Sequence, residues 1–208
     1  SAAPQVPVFL AVHRHGATST QLVQAIWPGL AAHTVTGRLY TTLSELRATI
    51  RATCGLTIID HTDDRYRLHG EHLDTDLWRL HTAAHHAATS ITDPARAWQA
   101  VIDAYTGDLA ADYTWPWIDP QREATRRLVL DAYAAAASAQ PDPHRTLELL
   151  ERGIRVDPYN ENLHRRAIEV LTALDEHTAA AGLLDAYRRR LTLAGQLSSD
   201  TLHLSAYR

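Results

Sequence analysis

The chain has 208 residues and a mass of 23.1 kDa, is 45% hydrophobic and 21% charged, and carries a formal net charge of −4. That composition excludes a disordered chain, and the slight acidity argues against a strongly basic nucleic-acid binder. A single cysteine, Cys54, excludes an internal disulfide framework or a cysteine zinc cluster, and no apolar run reaches the ~18–20 residues of a membrane span.

The first elements are short. Val8 to His13 is an apolar piece ending at Gly16, a plausible helix C-terminus. Thr18 or Ser19 can cap a second helix over Thr20 to Trp27, which Pro28-Gly29 stops. From Ala31 to Thr53, Val35, Leu39, Leu43, Leu46 and Ile50 recur at helical spacing and share one face, and Gly55 ends the helix. Leu56 to Asp60 is apolar and β-branched. His61-Thr62-Asp63-Asp64 has turn chemistry, and Tyr66 and Leu68 alternate with Arg65 and Arg67, so a hairpin is expected.

Beyond residue 73 the pattern is helical throughout. Helices are expected at 76–89, 93–105, 119–138, 142–156, 160–174 and 176–194. Asp74 or Thr75 caps the first, Asp93-Pro94 and Asp119-Pro120 open the second and third, and Asn160 caps the fifth. The last four have short connections and alanine-rich faces in a rhythm of about 34 residues, which is the tetratricopeptide period. The irregular stretch Tyr105 to Trp117 carries Tyr113, Trp115 and Trp117, too many aromatics for a solvated linker, and is expected to pack on the helices. Charge divides at the same place: residues 1–73 hold six arginines against five acids, and residues 74–208 hold fourteen against nineteen.

Catalysis and metal binding find little support. His81 and His85 stand at i and i+4 beside His86, but residue 82 is Thr, so no HExxH motif exists, and exposed helix histidines are the expectation. Asp63-Asp64 and Glu123 have no evident partner carboxylate. Cys54 is expected to be a small buried apolar group rather than a nucleophile. With nine scattered glycines there is no phosphate loop. No catalytic residue, cofactor, metal or small-molecule substrate is expected, and the chain is read as not an enzyme. Arg188-Arg189-Arg190, the densest basic run, is expected as a solvated face complementing a helix C-terminus; as a functional patch it would hold an acidic partner helix.

Short motifs along nearly the whole chain resemble the SARP-type (Streptomyces antibiotic regulatory protein) regulators, in which a winged helix-turn-helix precedes a bacterial transcriptional activator domain (BTAD). They are Leu22 to Trp27-Pro28, Arg38-Leu39 with Leu43-Ser44 and Leu46-Arg47, Tyr66-Arg67-Leu68, Asp76-Leu77-Trp78, Tyr105-Thr106-Gly107-Asp108-Leu109, Trp117 to Pro120, and Asp157-Pro158-Tyr159-Asn160-Glu161 with His164-Arg165. The resemblance implies a mainly α fold: a winged helix-turn-helix with a small β-hairpin over 1–73, then a TPR-like all-α activator domain over 76–204. It implies a transcription regulator in the cytoplasm. Its partners would be double-stranded DNA and, through the helical domain, a protein or a second copy. The N-terminal sheet that precedes the first helix in that family is missing. Methionine is absent and Ser1-Ala2-Ala3 looks like a scar or an internal cut, so a fragment of a longer protein is expected.

Groove binding requires charge that displaces counterions and side chains that reach base edges. Arg38, Thr41, Glu45 and Thr49 lie away from the apolar stripe of the long helix. Arg38 and Arg47 are the expected bidentate donors to guanine or phosphate. Arg51, Arg65 and Arg67 are the expected phosphate contacts, and the DNA-binding set is Arg38, Thr41, Arg47, Arg51, Arg65 and Arg67. Glu45 is expected to repel phosphate or to pair with Arg38 or Thr41. The wing reads Asp63-Asp64-Arg65 where the family tends to have a glycine, and Glu45, Ala48 and Thr49 stand where it often has basic residues. The alternative is an interaction or dimerisation module without DNA binding, at the end of a larger, membrane- or wall-associated protein carrying peptidoglycan-binding LysM modules.

Overall fold

The structure, a computed structural model, describes residues 2–30 and 32–195. The expected helix start at Ala31 and the end of the activator domain, 196–204, lie outside them. The described residues are mainly helical, with one antiparallel hairpin among them. It divides into two compact units. One holds the chain up to His81 together with Thr106–Glu123; the other holds Thr82–Tyr105 and the chain from Ala124 on.

The first unit begins with α1 (Gln5–Val12), which buries Val6, Phe9 and Leu10. Gly16 follows at φ +88°, and a Cβ there would meet Arg67 Cγ at 2.5 Å. Only glycine meets both demands. Thr18 then starts α2 (Ser19–Ile26) with a reciprocal cap: the Gln21 backbone N–H donates to Thr18 Oγ1 at 3.3 Å, and the Thr18 N–H donates to Gln21 Oε1 at 2.9 Å. In α3 (Ala32–Cys54) the stripe buries Val35, Leu39 and Leu43, leaves Leu46 and Ile50 half-buried, and ends at Gly55 with φ +73°.

The hairpin is β1 (Ile59–Thr62) and β2 (Arg65–Leu68), with Ile59 opposite Leu68 and Thr62 opposite Arg65. Its strand therefore starts later than the expected Leu56 and takes in His61 and Thr62. The reason is cross-strand packing: the His61 ring stacks on Tyr66 at 4.2 Å. Only Asp63 and Asp64 turn, both left-handed at φ 52° and 58°, as the tightest hairpin turn demands. The Ala17 N–H donates to the Tyr66 carbonyl at 2.9 Å and the Tyr66 N–H to the Ala17 carbonyl at 2.8 Å, which adds a one-residue third strand. Leu22, Leu39, Leu43, Ile59 and Tyr66 close the core between these elements.

The aromatic segment belongs to this unit. Trp117 donates Nε1–H to Gln5 Oε1 at 2.8 Å and meets Phe9 edge-on at 5.1 Å. Trp115 stacks on Trp117, and Tyr113 on Trp115. Arg122 fastens the segment by donating to the carbonyls of Leu109, Ala110 and Tyr113. Trp78 donates Nε1–H to the Ala11 carbonyl at 2.7 Å, and Arg14 lies 5.2 Å from its ring centre.

Two helices cross the division between the units: α4 (Asp76–Thr89), capped by Thr75, and α6 (Asp119–Ala139). The second unit adds α5 (Pro94–Ala104), α7 (Pro143–Val156), α8 (Glu161–Ala173) and α9 (His177–Leu193). Asp93, Asp142 and Asn160 each accept a backbone N–H at a helix start. The starts of α7 and α9 are 34 residues apart, the spacing read from the sequence. Successive helices α7, α8 and α9 pack on one another. Gly153 lets α7 lie close to its neighbours, since a Cβ there would come within 2.7 Å of Leu163 and 3.1 Å of Tyr133.

Cys54 corrects the sequence reading. It is exposed, not buried. It sits on the last turn of α3, and its thiol donates to the Ile50 carbonyl at 3.2 Å.

Candidate nucleic-acid interface

The apolar stripe of α3 faces the core, so its opposite side is left open. Arg38, Thr41, Ser44, Glu45, Ala48 and Thr49 are all exposed there. Arg38 makes no hydrogen bond or ion pair within the described residues. Thr41 donates its hydroxyl to the Gly37 carbonyl at 3.0 Å, an ordinary in-helix bond that leaves the oxygen lone pairs outward. Glu45 pairs with neither Arg38 nor Thr41. Tyr40, 56% exposed, joins this surface, and the apolar pattern of the sequence held no signal for it.

The other arginines part company. Arg47 is half-buried: its Nε–H donates to the Ile59 carbonyl at 3.2 Å, and its guanidinium lies 5.8 Å from the Tyr66 ring centre. It fastens α3 to the hairpin. Arg65 donates to the Gly16 carbonyl at 3.1 Å, fastening β2 to the loop after α1. Arg67 lays its stem against Gly16, and its Nε is buried without a hydrogen-bond partner. Arg51 is exposed and donates to Thr57 Oγ1 at 3.3 Å. The six expected contacts thus divide into an outward set (Arg38, Thr41, Arg51) and a set engaged within the unit (Arg47, Arg65, Arg67).

Tyr66 is the hub beneath this surface. Burial pushes its hydroxyl above the usual phenol range, against the opposing pull of a hydrogen bond with Ser19. At the hairpin tip the carboxylates of Asp63 and Asp64 are exposed, with His61 Nε2 3.9 Å from Asp64. Among the described residues no group of three His, Cys, Asp or Glu could hold a metal, and His85 and His86 are exposed. No helix among them is long and apolar enough to cross a membrane.

The family model described as the bacterial transcriptional activator domain matches residues 73–203. The chain belongs to this family. A BTAD behind three helices and a hairpin is the SARP-type arrangement. The fold is similar to that of Mycobacterium tuberculosis EmbR, solved in complex with a low-affinity phosphopeptide, with a TM-score of 0.71 at 18% identity. The likeness covers 99% of this chain and 57% of EmbR, so this BTAD protein spans little more than half of that longer chain. Among curated proteins no sequence matches it.

Proposed function

We propose that this BTAD protein is a DNA-binding transcription regulator of the cytoplasm. Residues 1–73 act as the winged helix, with α3 entering the major groove, and residues 76–204 form the helical domain that meets a protein partner or a second copy. The observation that carries this reading is Arg38: a guanidinium without a partner among the described residues, on the open face of a helix braced by a hairpin. Arg38 reaches guanine or phosphate, Thr41 reads a base edge, and Arg51 takes a phosphate. Arg47 and Arg65 contribute through the guanidinium nitrogens their internal bonds leave over, and Arg67 through the guanidinium end beyond its stem on Gly16. With about two or three phosphates neutralised, affinity falls with a log–log salt slope of about −2 to −3. Monomer binding is weak at that count, and two half-sites read by a dimer raise it.

Fluorescence anisotropy with mixed-sequence duplex DNA, at low and moderate salt, tests this reading. A salt-steep signal lost in Arg38→Ala with Arg51→Ala supports it. A flat titration at low salt overturns it and leaves the second reading, an interaction module that does not bind DNA. The exposed Asp63–Asp64 tip favours that second reading, because two carboxylates occupy the point where a wing approaches phosphate.

A further inference from the structure

The run Arg188-Arg189-Arg190 near the end of α9 has no part in the interface above. Arg190 is engaged, donating to the Pro158 carbonyl at 3.4 Å. The Arg188 carbonyl accepts from the Thr192 hydroxyl at 3.0 Å, but the guanidiniums of Arg188 and Arg189 make no hydrogen bond or ion pair within the described residues. Arg188 borders a groove along α8 and α9, and Arg189 borders its continuation on α9. Its floor is apolar, with Ile168 and Leu184 almost fully buried, and Thr172 and Asp185 stand on its rim beside Arg188; its volume is about 500 Å³. It continues along α9 past Arg189 and Thr192 to Leu193, which is 89% exposed.

Three features specify an occupant. In stacked-helix folds the groove of one helix pair is covered by the helix of the next, and α8 and α9 are the last pair among the described residues. Taken with its continuation along α9 the groove carries a positive balance: the guanidiniums of Arg188 and Arg189 stand against the single lining carboxylate of Asp185, while His177 lies 3.8 Å from Asp175. The described part of this unit has no strand edge, so an extended peptide has nothing to pair with.

We infer that the α8–α9 groove binds an amphipathic helix of a partner protein, with apolar side chains on one face and carboxylates along its flank. The apolar face fills the floor over Ile168 and Leu184 and reaches Leu193, and the carboxylates meet Arg188 and Arg189. This rests on the reading of the helical domain as a partner-binding module and is independent of DNA binding by α3.

The test uses the full chain and two fluorescein-labelled helical peptides with leucines on one face, one flanked by glutamates and one by lysines. The glutamate peptide is expected to bind at least about tenfold more tightly than the lysine peptide. Arg188→Glu with Arg189→Glu is expected to reverse that order. Arg188→Gln with Arg189→Gln, a milder change, is expected to erase the preference with the circular-dichroism melt unchanged. Equal binding of both peptides overturns the inference. Binding of neither also overturns it, the groove then being covered by the chain itself or by a second copy, which sedimentation of the wild type and the reversed variant distinguishes. DNA titration of the same samples reads the gene-control proposal separately. Self-association untouched by either variant leaves the helical domain a partner-binding module while removing this groove from that role.

Discussion

The His164 imidazole stacks on the Tyr187 ring with centroids 4.1 Å apart, joining α8 to α9. His164 is 1% exposed. Its Nδ1 lies 2.9 Å from the Asn160 carbonyl, so the ring proton sits on Nδ1, and Nε2 is buried without a partner. Burial holds its pKa below the ordinary histidine value, with Arg190 pushing the same way and the Asn160 bond and Asp157 opposing. A proton on Nε2 would be a buried, uncompensated charge.

The sign of the pH dependence follows. The unfolded chain takes up this proton at a higher pH than the folded one does. Stability is therefore full above the unfolded value of ~6.5 and falls as pH drops from there toward the depressed folded value. Thermal melts of the wild type should lose stability as the pH falls below about 6.5. His164→Phe, which keeps a planar ring on Tyr187, should flatten that slope relative to the wild type. Equal slopes in the two proteins would show that other histidines carry the effect.

Arg38 and Arg47 lie nine positions apart on α3 and should fail in opposite ways. Arg38→Ala removes an exposed side chain and should leave stability within about 0.5 kcal/mol of the wild type while weakening DNA binding. Arg47→Ala removes the bond to the Ile59 carbonyl and the contact with Tyr66, and should cost about 1–2 kcal/mol in urea unfolding. A stability loss in Arg38→Ala would contradict its placement on the open face.

Gly16→Ala should be among the more costly single-methyl additions in the first unit. A left-handed φ and contacts of 2.5 Å to Arg67 and 3.0 Å to the Tyr66 carbonyl act together, and a loss of roughly 2 kcal/mol is expected. Denaturant unfolding followed by tryptophan fluorescence measures it.

Asp64→Gly should stabilise. Asp64 sits at φ 58° in a turn whose second position favours glycine, and the change also removes one of two adjacent exposed carboxylates. A gain of about 0.5–1 kcal/mol is expected. If the hairpin tip faces phosphate, DNA affinity should rise in the same variant, which anisotropy reads directly.

Much of this was legible in the sequence. The side-chain caps at Asp93 and Asn160 place the starts of α5 and α8 within a residue of the pattern, because a capping side chain and its helix are neighbours in sequence. The stripe from Val35 to Ile50 identified α3 for the same reason. The bridge between Ala17 and Tyr66 left no trace, since it is made by backbone groups 49 residues apart. The division among the arginines was hidden too: Arg47 and Arg38 look alike until the hairpin carbonyl of Ile59 arrives beside one of them. Gly16 could be read as a helix stop, but not as the surface on which Arg67 rests.

Trp117 reaches Phe9 and Gln5 across more than a hundred residues of chain, and Arg122 ties the intervening loop down by three carbonyls. A polypeptide cut after the hairpin would leave Phe9 without that indole and Gln5 without the bond it accepts from Trp117. Excising the three helices and hairpin as an autonomous piece therefore calls for supplying the 106–123 segment as well, by a tether or in trans.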